Sequence, residues 1–445
     1  PIVEKEVVSK HKGSLGWNFS PKPLVWQPFK KLKNNSIHLK PIKEFNLNLK
    51  PNSIAFRTDI NRQYGYQKIR DIGGDGLVIQ PTFDKYFTWD RFWSIKYSLT
   101  KSINLDFTAT NRARIDEPFG ALDTKAKRDT VMRNFWKFGR NIGYDHIFNA
   151  SYNLPLQLFP SLDWINVRAR YGATYSWLAA PLALSGLGNT MKNGQDYQVT
   201  ADVNFKSLYQ KSKFLKPYTL TDIKKTKQEY AEAFSKYKTQ EVDLKTKIDK
   251  KKEDIDKKIE DIEKAEKDTS KTKEDIKKLI ADKKQLKNDL RQLKLQKRQL
   301  PEPANPALEY VMRPLMMLQR ASFSYDVKRT TVLPGFLPSP VLFGQNFKQN
   351  APGAAFLFGA QKDTNWLNSI ASKGWISNDT TLNYQFIQTR QQNMNLKVSL
   401  EPYRDLRVDI SLQKTRGETY SDFFKATSAN GNFMHLTPQV NGNMS

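Results

Sequence analysis

From Trp164 to Trp177 the chain reads W-I-N-V-R-A-R-Y-G-A-T-Y-S-W, and apolar and polar positions alternate. Ile165, Val167, Ala169, Tyr171, Ala173, Tyr175 and Trp177 share one parity; Asn166, Arg168, Arg170, Gly172, Thr174 and Ser176 share the other. Successive strand side chains point to opposite faces, so the run predicts a strand with one apolar, aromatic face and one polar, cationic face. At about 3.3 Å per residue it extends roughly 45 Å, whereas a strand crossing a bilayer needs about 9–11 residues. Such a strand suits a barrel wall between lipid and water. It equally suits a large soluble antiparallel sheet.

The rhythm recurs. Trp93, Ile95, Tyr97 and Leu99 lead to the turn Thr100-Lys101-Ser102, and Ile103, Leu105, Phe107 and Ala109 follow it. Both arms carry polar residues between the apolar ones, which predicts a β-hairpin with one shared apolar face. Met394, Leu396, Val398 and Leu400, the turn Glu401–Asp405, and Leu406, Val408, Ile410 and Leu412 repeat the design. Further strands are predicted around Phe45, Leu47 and Leu49; Ile54–Ile60; Phe148–Leu154; Tyr197–Phe205; and Ala321–Val327. A slip of one residue would put lysine or aspartate on the apolar side, so register is well specified wherever that side is buried.

Between Thr221 and Leu300 the pattern changes period. The segment is mostly Lys, Glu, Asp, Gln, Leu and Ile, and lacks Gly and Pro. Ile248, Ile255 and Ile262 recur at seven-residue spacing, as do Leu279, Leu286, Leu293 and Leu300. That spacing is the seam of a coiled coil. The polar break Lys267–Thr272 divides it, Thr272 followed by Asp275 suits an N-cap, and Pro301, Pro303 and Pro306 stop it. The reading is an antiparallel hairpin of roughly 40–70 Å, with Lys283 and Lys297 interrupting the seam. It is either a solvated spacer or a docking arm.

Composition narrows the class. The chain has 445 residues, of which 38% are hydrophobic, and its mean hydropathy is -0.66. No stretch approaches about 18 uninterrupted apolar residues, which argues against transmembrane helices but not against a barrel of half-apolar strands. Cysteine is absent, so disulfides and thiolate metal sites are excluded. The chain starts Pro-Ile-Val-Glu and is read as a processed form or a piece of something longer. Its formal net charge is +27. The basic residues are spread over strand faces and the helical segment, so nucleic acid is not an expected partner; a wet lumen or an anionic lipid surface fits better.

Catalytic chemistry is hard to place. The four histidines, His11, His38, His146 and His435, show no metal-ligand spacing. Asp116-Glu117 are adjacent carboxylates, which ordinarily diverge. Asp145-His146 reads as a strand residue and its turn neighbour. Gly73-Gly74-Asp75-Gly76 is a turn signal, and Gly186-Leu187-Gly188-Asn189-Thr190 lacks the Gly-Lys-Ser/Thr ending of a phosphate loop. The chain is read as non-enzymatic, without cofactor or metal.

Five segments resemble a known family. They are Ala55–Arg62 (A-F-R-T-D-I-N-R), Thr110–Gly120 (T-N-R-A-R-I-D-E-P-F-G), Leu162-Asp163-Trp164 leading into Arg170–Trp177, Ala321–Tyr325 followed by Leu333-Pro334-Gly335-Phe336, and Asn350-Ala351-Pro352-Gly353 with Phe356-Leu357-Phe358-Gly359. Together they resemble the SprA/Sov family, the outer-membrane translocons of the Bacteroidetes type IX secretion system. The resemblance spans most of the chain on both sides of the helical segment. It implies an all-β fold, part of a very large antiparallel transmembrane β-barrel, with the α-helical coiled-coil hairpin inserted. Expected domains are barrel strands and loops over 1–219, the hairpin over 220–301, and strands and loops over 302–445.

The resemblance also implies an outer-membrane location, export of folded cargo bearing a type IX C-terminal signal, and support of gliding motility. Implied partners are a PorV-type outer-membrane shuttle protein, a periplasmic plug protein and outer-membrane lipid. On this reading Asn166, Arg168, Arg170 and Thr174 face the lumen, and Ile165, Val167, Ala169, Tyr171, Tyr175 and Trp177 face lipid. The stretches Trp177–Gly188 and Leu333–Gly359 are candidates for lumen, gate or partner contacts, or else buried loop anchors. The competing reading is a β-rich, non-catalytic surface scaffold that binds partners through the helical hairpin. A narrow solute porin is a third.

Overall fold

The computed structural model describes residues 3–30, 40–70, 79–212, 214–219, 227–267, 273–300, 303, 305–403, 406–428 and 431–444. Its strands are β1 (Val3–Phe19), β2 (Val25–Trp26), β3 (Leu47–Asn48), β4 (Ser53–Ile69), β5 (Thr82–Ser98), β6 (Ile103–Arg114), β7 (Arg140–Asn153), β8 (Ile165–Leu178), β9 (Asn189–Asn204), β10 (Leu318–Phe336), β11 (Phe386–Tyr403), β12 (Leu406–Asp422), β13 (Phe424–Ala426), β14 (Phe433–His435) and β15 (Gln439–Met444). Its α-helices are α1 (Lys40–Lys43), α2 (Lys125–Trp136), α3 (Phe205–Lys211), α4 (Lys227–Lys267), α5 (Lys273–Gln299), α6 (Pro306–Leu315), α7 (Ala354–Leu357) and α8 (Asn365–Ser372). No helix among the described residues is long and apolar enough to cross a membrane.

Eleven strands form one antiparallel sheet in the order β1-β4-β5-β6-β7-β8-β9-β10-β11-β12-β15. Apart from short strands set aside in two small pairs, each strand lies beside its neighbour in sequence, as hairpins require. The expected hairpin over 93–109 is β5 and β6, with Trp93 opposite Ala109 and Tyr97 opposite Leu105. The expected strand around 45–49 is reduced to β3, which pairs with β2 through Val25–Asn48 and Trp26–Leu47. β9 stops one residue short of Phe205 because Asn204 caps α3, its side chain accepting the Ser207 amide at 3.2 Å. The turn at Gly73–Gly76, Arg404-Asp405, the break at 268–272 and Pro301 lie outside the described residues.

The chain divides into two compact units. The first comprises Pro1–Val203, Ser322–Lys397 and Ser411–Ser445. Its main core lies where the long link between β10 and β11 folds back onto the sheet, and it contains Tyr144, Tyr175, Trp177, Met191, Leu333, Phe336, Phe356, Leu367 and Phe386. A smaller core forms under α2, where Phe87, Ile115 and Val131 are buried and Phe135 stacks on Trp89 at 4.8 Å. The second unit comprises Asn204–Ala321 and Val398–Ile410. In it α4 and α5 run antiparallel: Glu241 pairs with Lys297, Lys251 with Asp289 and Lys258 with Asp282. Ile248, Ile255 and Ile262 are buried on α4.

Candidate functional site

The alternation seen in one strand is carried across the sheet by its register. On one face, Asn104, Ser151, Arg170 and Gln198 form a row over β6–β9, and Asp106, Asn149, Gly172 and Asp196 form the next. Asn153, Arg168 and Thr200 form a third, and Asn166 lies opposite Asp202. Arg168 donates from Nε to Asn153 Oδ1 at 2.8 Å, Arg170 from Nη2 to Asn149 Oδ1 at 3.2 Å, and Gln198 from Nε2 to Asp326 Oδ2 at 3.2 Å. Asn166, Arg168, Arg170 and Thr174 are all solvent-exposed on this face. The arginines are interspersed with Asp106, Asp196 and Asp202, so the face is wet and of mixed charge. It is not a single-sign binding groove.

The opposite face is divided in two. Toward the Ile165 end, the rows Ile103–Tyr152–Ala169–Val199 and Tyr97–Leu105–Ala150–Tyr171–Tyr197 are partly buried, with Tyr152, Tyr197 and Val199 exposed. Toward the Leu178 end, the rows Trp93–Ala109–His146–Tyr175–Asn193 and Asn111–Tyr144–Trp177–Met191 lie beneath residues 337–382. Tyr175 and Trp177, expected to face lipid, are therefore buried inside the protein at 2% and 1% exposure. Tyr171 stands at the border, its hydroxyl donating to the Phe358 carbonyl. Alternation fixes the side of the sheet on which a residue lies; it carries no information about what covers that side. Ile165, Val167 and Ala169 remain in the uncovered part, partly exposed.

The covering loop is held by side-chain donors aimed at its backbone. Asn193 donates to Phe356 O at 2.8 Å and Ala360 O at 3.1 Å; Trp177 Nε1 donates to Pro338 O at 3.2 Å; Asn141 donates to Pro340 O at 2.6 Å. His146 meets Leu357 O through Nε2 at 2.8 Å and Tyr144 Oη through Nδ1 at 3.1 Å. Thr331 donates to Gln361 Oε1 at 2.6 Å, and Gln361 donates to Gly359 O at 3.0 Å. Glycine makes the close approaches possible. At Gly359 (φ +89°) an added Cβ would lie 2.8 Å from Gly194 O, and at Gly344 (φ +81°) 2.7 Å from Tyr144 Cε1. Leu333, Phe336, Ala351, Phe356 and Leu357 are buried here, so these residues of Leu333–Gly359 are loop anchors. In Trp177–Gly188, Trp177 and Gly188 anchor, whereas Leu182 and Leu184 are exposed at 66% and 52%.

Three polar members of this network had a sequence signal that hydropathy alone overlooks: His146, Asn193 and Gln195 occupy apolar-parity positions of β7 and β9. The adjacent carboxylates diverge. Asp116 receives a two-pronged Arg140 at 2.9 and 3.2 Å, and Glu117 pairs with Arg62 at 2.7 Å. Both tie the 115–139 connection to the sheet. His146 and Asp145 both lie within β7, with no turn between them, and Asp145 pairs with Arg112.

No known family profile matches the chain, and no curated protein matches it. Among solved structures, the ferric-catecholate import receptor Fiu from K12 E. coli, in its closed form, is similar at a TM-score of 0.31 and 7% identity. The match covers 99% of this chain and 46% of that receptor, so the chain spans about half the receptor's length.

Proposed function

We propose that this chain is part of the wall of an outer-membrane β-barrel of the SprA/Sov type, a protein-conducting translocon of type IX secretion that passes folded cargo to the cell surface and supports gliding motility. The observation that carries the barrel part is the two-faced register of β6–β9 away from the docked loop: Asn, Ser, Asp and Arg on one side, Ile, Leu, Ala, Tyr and Val on the other. The five ordered motifs supply the translocon part. Two of them, ending in Leu333–Phe336 and spanning Asn350–Gly359, fall at the end of β10 and in the docked loop that follows it. The polar face lines the conduit, its interspersed charges letting cargo pass without holding it. Driving energy comes from elsewhere, since the chain carries no phosphate-loop signature. The α4–α5 pair is a supercoiled arm for a plug, a shuttle of the PorV type or another periplasmic partner.

Single-cysteine labelling tests the conduit; these 445 residues contain no cysteine, and any elsewhere in the full-length protein is first replaced by serine. In the full-length protein in membranes, cysteine at 166, 168 and 170 reacts with an impermeant maleimide, and cysteine at 167 and 169 reacts only after denaturation. Equal reaction of the two sets sinks the proposal. The burial of Tyr175 and Trp177 favours a second reading, a soluble scaffold whose apolar face is covered by its own loops. Such a protein stays monodisperse without detergent, and a barrel does not.

A further inference from the structure

α4 and α5 carry their charge in different ways. α4 has twelve lysines and twelve carboxylates, and they neutralise one another along the helix: Lys247 lies 2.7 Å from Asp243, Lys252 2.9 Å from Asp249 and Lys264 2.8 Å from Glu260. From Lys283 to Arg298, α5 has seven cations and one carboxylate, Asp289.

The excess is gathered on one side. Counting heptads from the seam residues Leu286 and Leu293, one flank holds Asp282, Gln285, Asp289, Gln292, Gln296 and Gln299. Its Asp282 and Asp289 reach Lys258 and Lys251 of α4 at 3.4 and 3.2 Å. The other flank is Lys284, Lys287, Arg291, Lys294 and Arg298. Spacings of three, four, three and four residues keep these five in one line for about 21 Å. All five are solvent-exposed, and among the described residues none of them makes an ion pair.

Water alone gives no reason for such a line. Each member has a like charge three or four residues away, which weakens a helix. α4 shows the interspersed charges that suit a solvated face. The helix C-terminus favours cations in the last turn, where Arg298 stands, but Lys284, Lys287 and Arg291 lie further in. A membrane-surface helix inserts an apolar face, and the seam of α5 is already given to α4. α5 has no aromatic side chain to stack on bases. With α4 beside it, the pair is about 20 Å across, too wide for a duplex major groove of about 12 Å. An acidic helix fits. Carboxylates at intervals of three and four residues recur with the same rise as the cations, and Ile280, exposed in the same line, supplies an apolar contact at one end.

Taking α4–α5 as the docking arm of the reading above, we propose that the Lys284–Arg298 flank of α5 is the arm's contact surface. Its partner is a protein helix with Asp or Glu at three- and four-residue intervals, laid along α5 as a third member of the bundle.

Benzoylphenylalanine at Lys287 or Arg291 of the full-length protein in its own cells tests this, with Gln285 and Gln292 as probes of the opposite flank. Irradiation should give a protein adduct from 287 and 291 and little from 285 and 292, and the cross-linked peptide should carry the acidic repeat. A peptide without that repeat, or equal adducts from both flanks, overturns the acidic helix and leaves the docking arm standing. An adduct with lipid or nucleic acid also overturns the proposal. Absence of any adduct from all four positions overturns the arm as well. With the probe at 287, the combined changes Lys284→Gln, Arg291→Gln and Lys294→Gln should lose the adduct, whereas Lys245→Gln, Lys250→Gln and Lys257→Gln on α4 should keep it. Glutamine is a good helix former, so both variants retain the hairpin. Unchanged yield in the first variant, or equal loss in both, counts against recognition by this flank.

Discussion

Asn193 occupies a slot that strand parity assigns to an apolar side chain, yet it is 2% exposed and holds two loop carbonyls. Replacing it with leucine removes both donations and the contact its Oδ1 accepts from Gln361. Each buried group left unpaired costs about 1–3 kcal/mol, so Asn193→Leu should release the loop and expose 337–382 to limited proteolysis while the strands stay intact. Gly359→Ala should do the same by a different route, since its Cβ would meet Gly194 O at 2.8 Å on a left-handed backbone. A charge effect is expected at the other exposed connection. Lys127, hydrogen-bonded to Asp123 at 3.0 Å, holds that carboxyl below its ordinary value of 3.8. A depressed carboxylate contributes stability above its ordinary value and loses it as pH falls through the lower, folded one. Protection of the amides at the start of α2, relative to their intrinsic exchange rate at each pH, should therefore fall in acid, and Asp123→Asn should abolish the step.

At the scale of elements, α4 and α5 separate two kinds of contact. Ile255 is 6% exposed, and Ile255→Ala should cost about 2–4 kcal/mol, read as lost helicity on heating. The Lys251–Asp289 pair, at 3.2 Å, is partly exposed, and Lys251→Ala should move stability by less than about 1 kcal/mol. The long strands were legible because their side chains obey a period of two. β1 was less so, because Val7 and Val8 are adjacent and mainly Glu, Lys, Ser and His surround them, so that alternation begins only at Leu15, Trp17 and Phe19. α2 was missed because it fully buries only Val131 and so shows no stripe. The docking of the β10–β11 link was beyond local pattern altogether, since Asn193 and Phe356 meet across 163 residues. Only the out-of-place Asn193, Gln195 and His146 hinted that something polar would arrive.

Across the whole chain, every strand of the large sheet except β10 follows its sheet neighbour after a connection of at most roughly 50 residues. β10 has to find β9 after a detour of roughly 110 residues. Closing a flexible loop of that length, compared with the four-residue β5–β6 turn, costs about 3 kcal/mol more in chain entropy. α4 and α5 pair antiparallel, so the end of one lies beside the start of the other. Once that pair has zipped, most of the detour no longer counts as slack, and the two flanking strands are tethered as though by a short leash. The paired helices thus shorten the slack that the pairing of β10 with β9 has to close, and excising them for a flexible linker of equal length should delay the appearance of the folded sheet more than it weakens it.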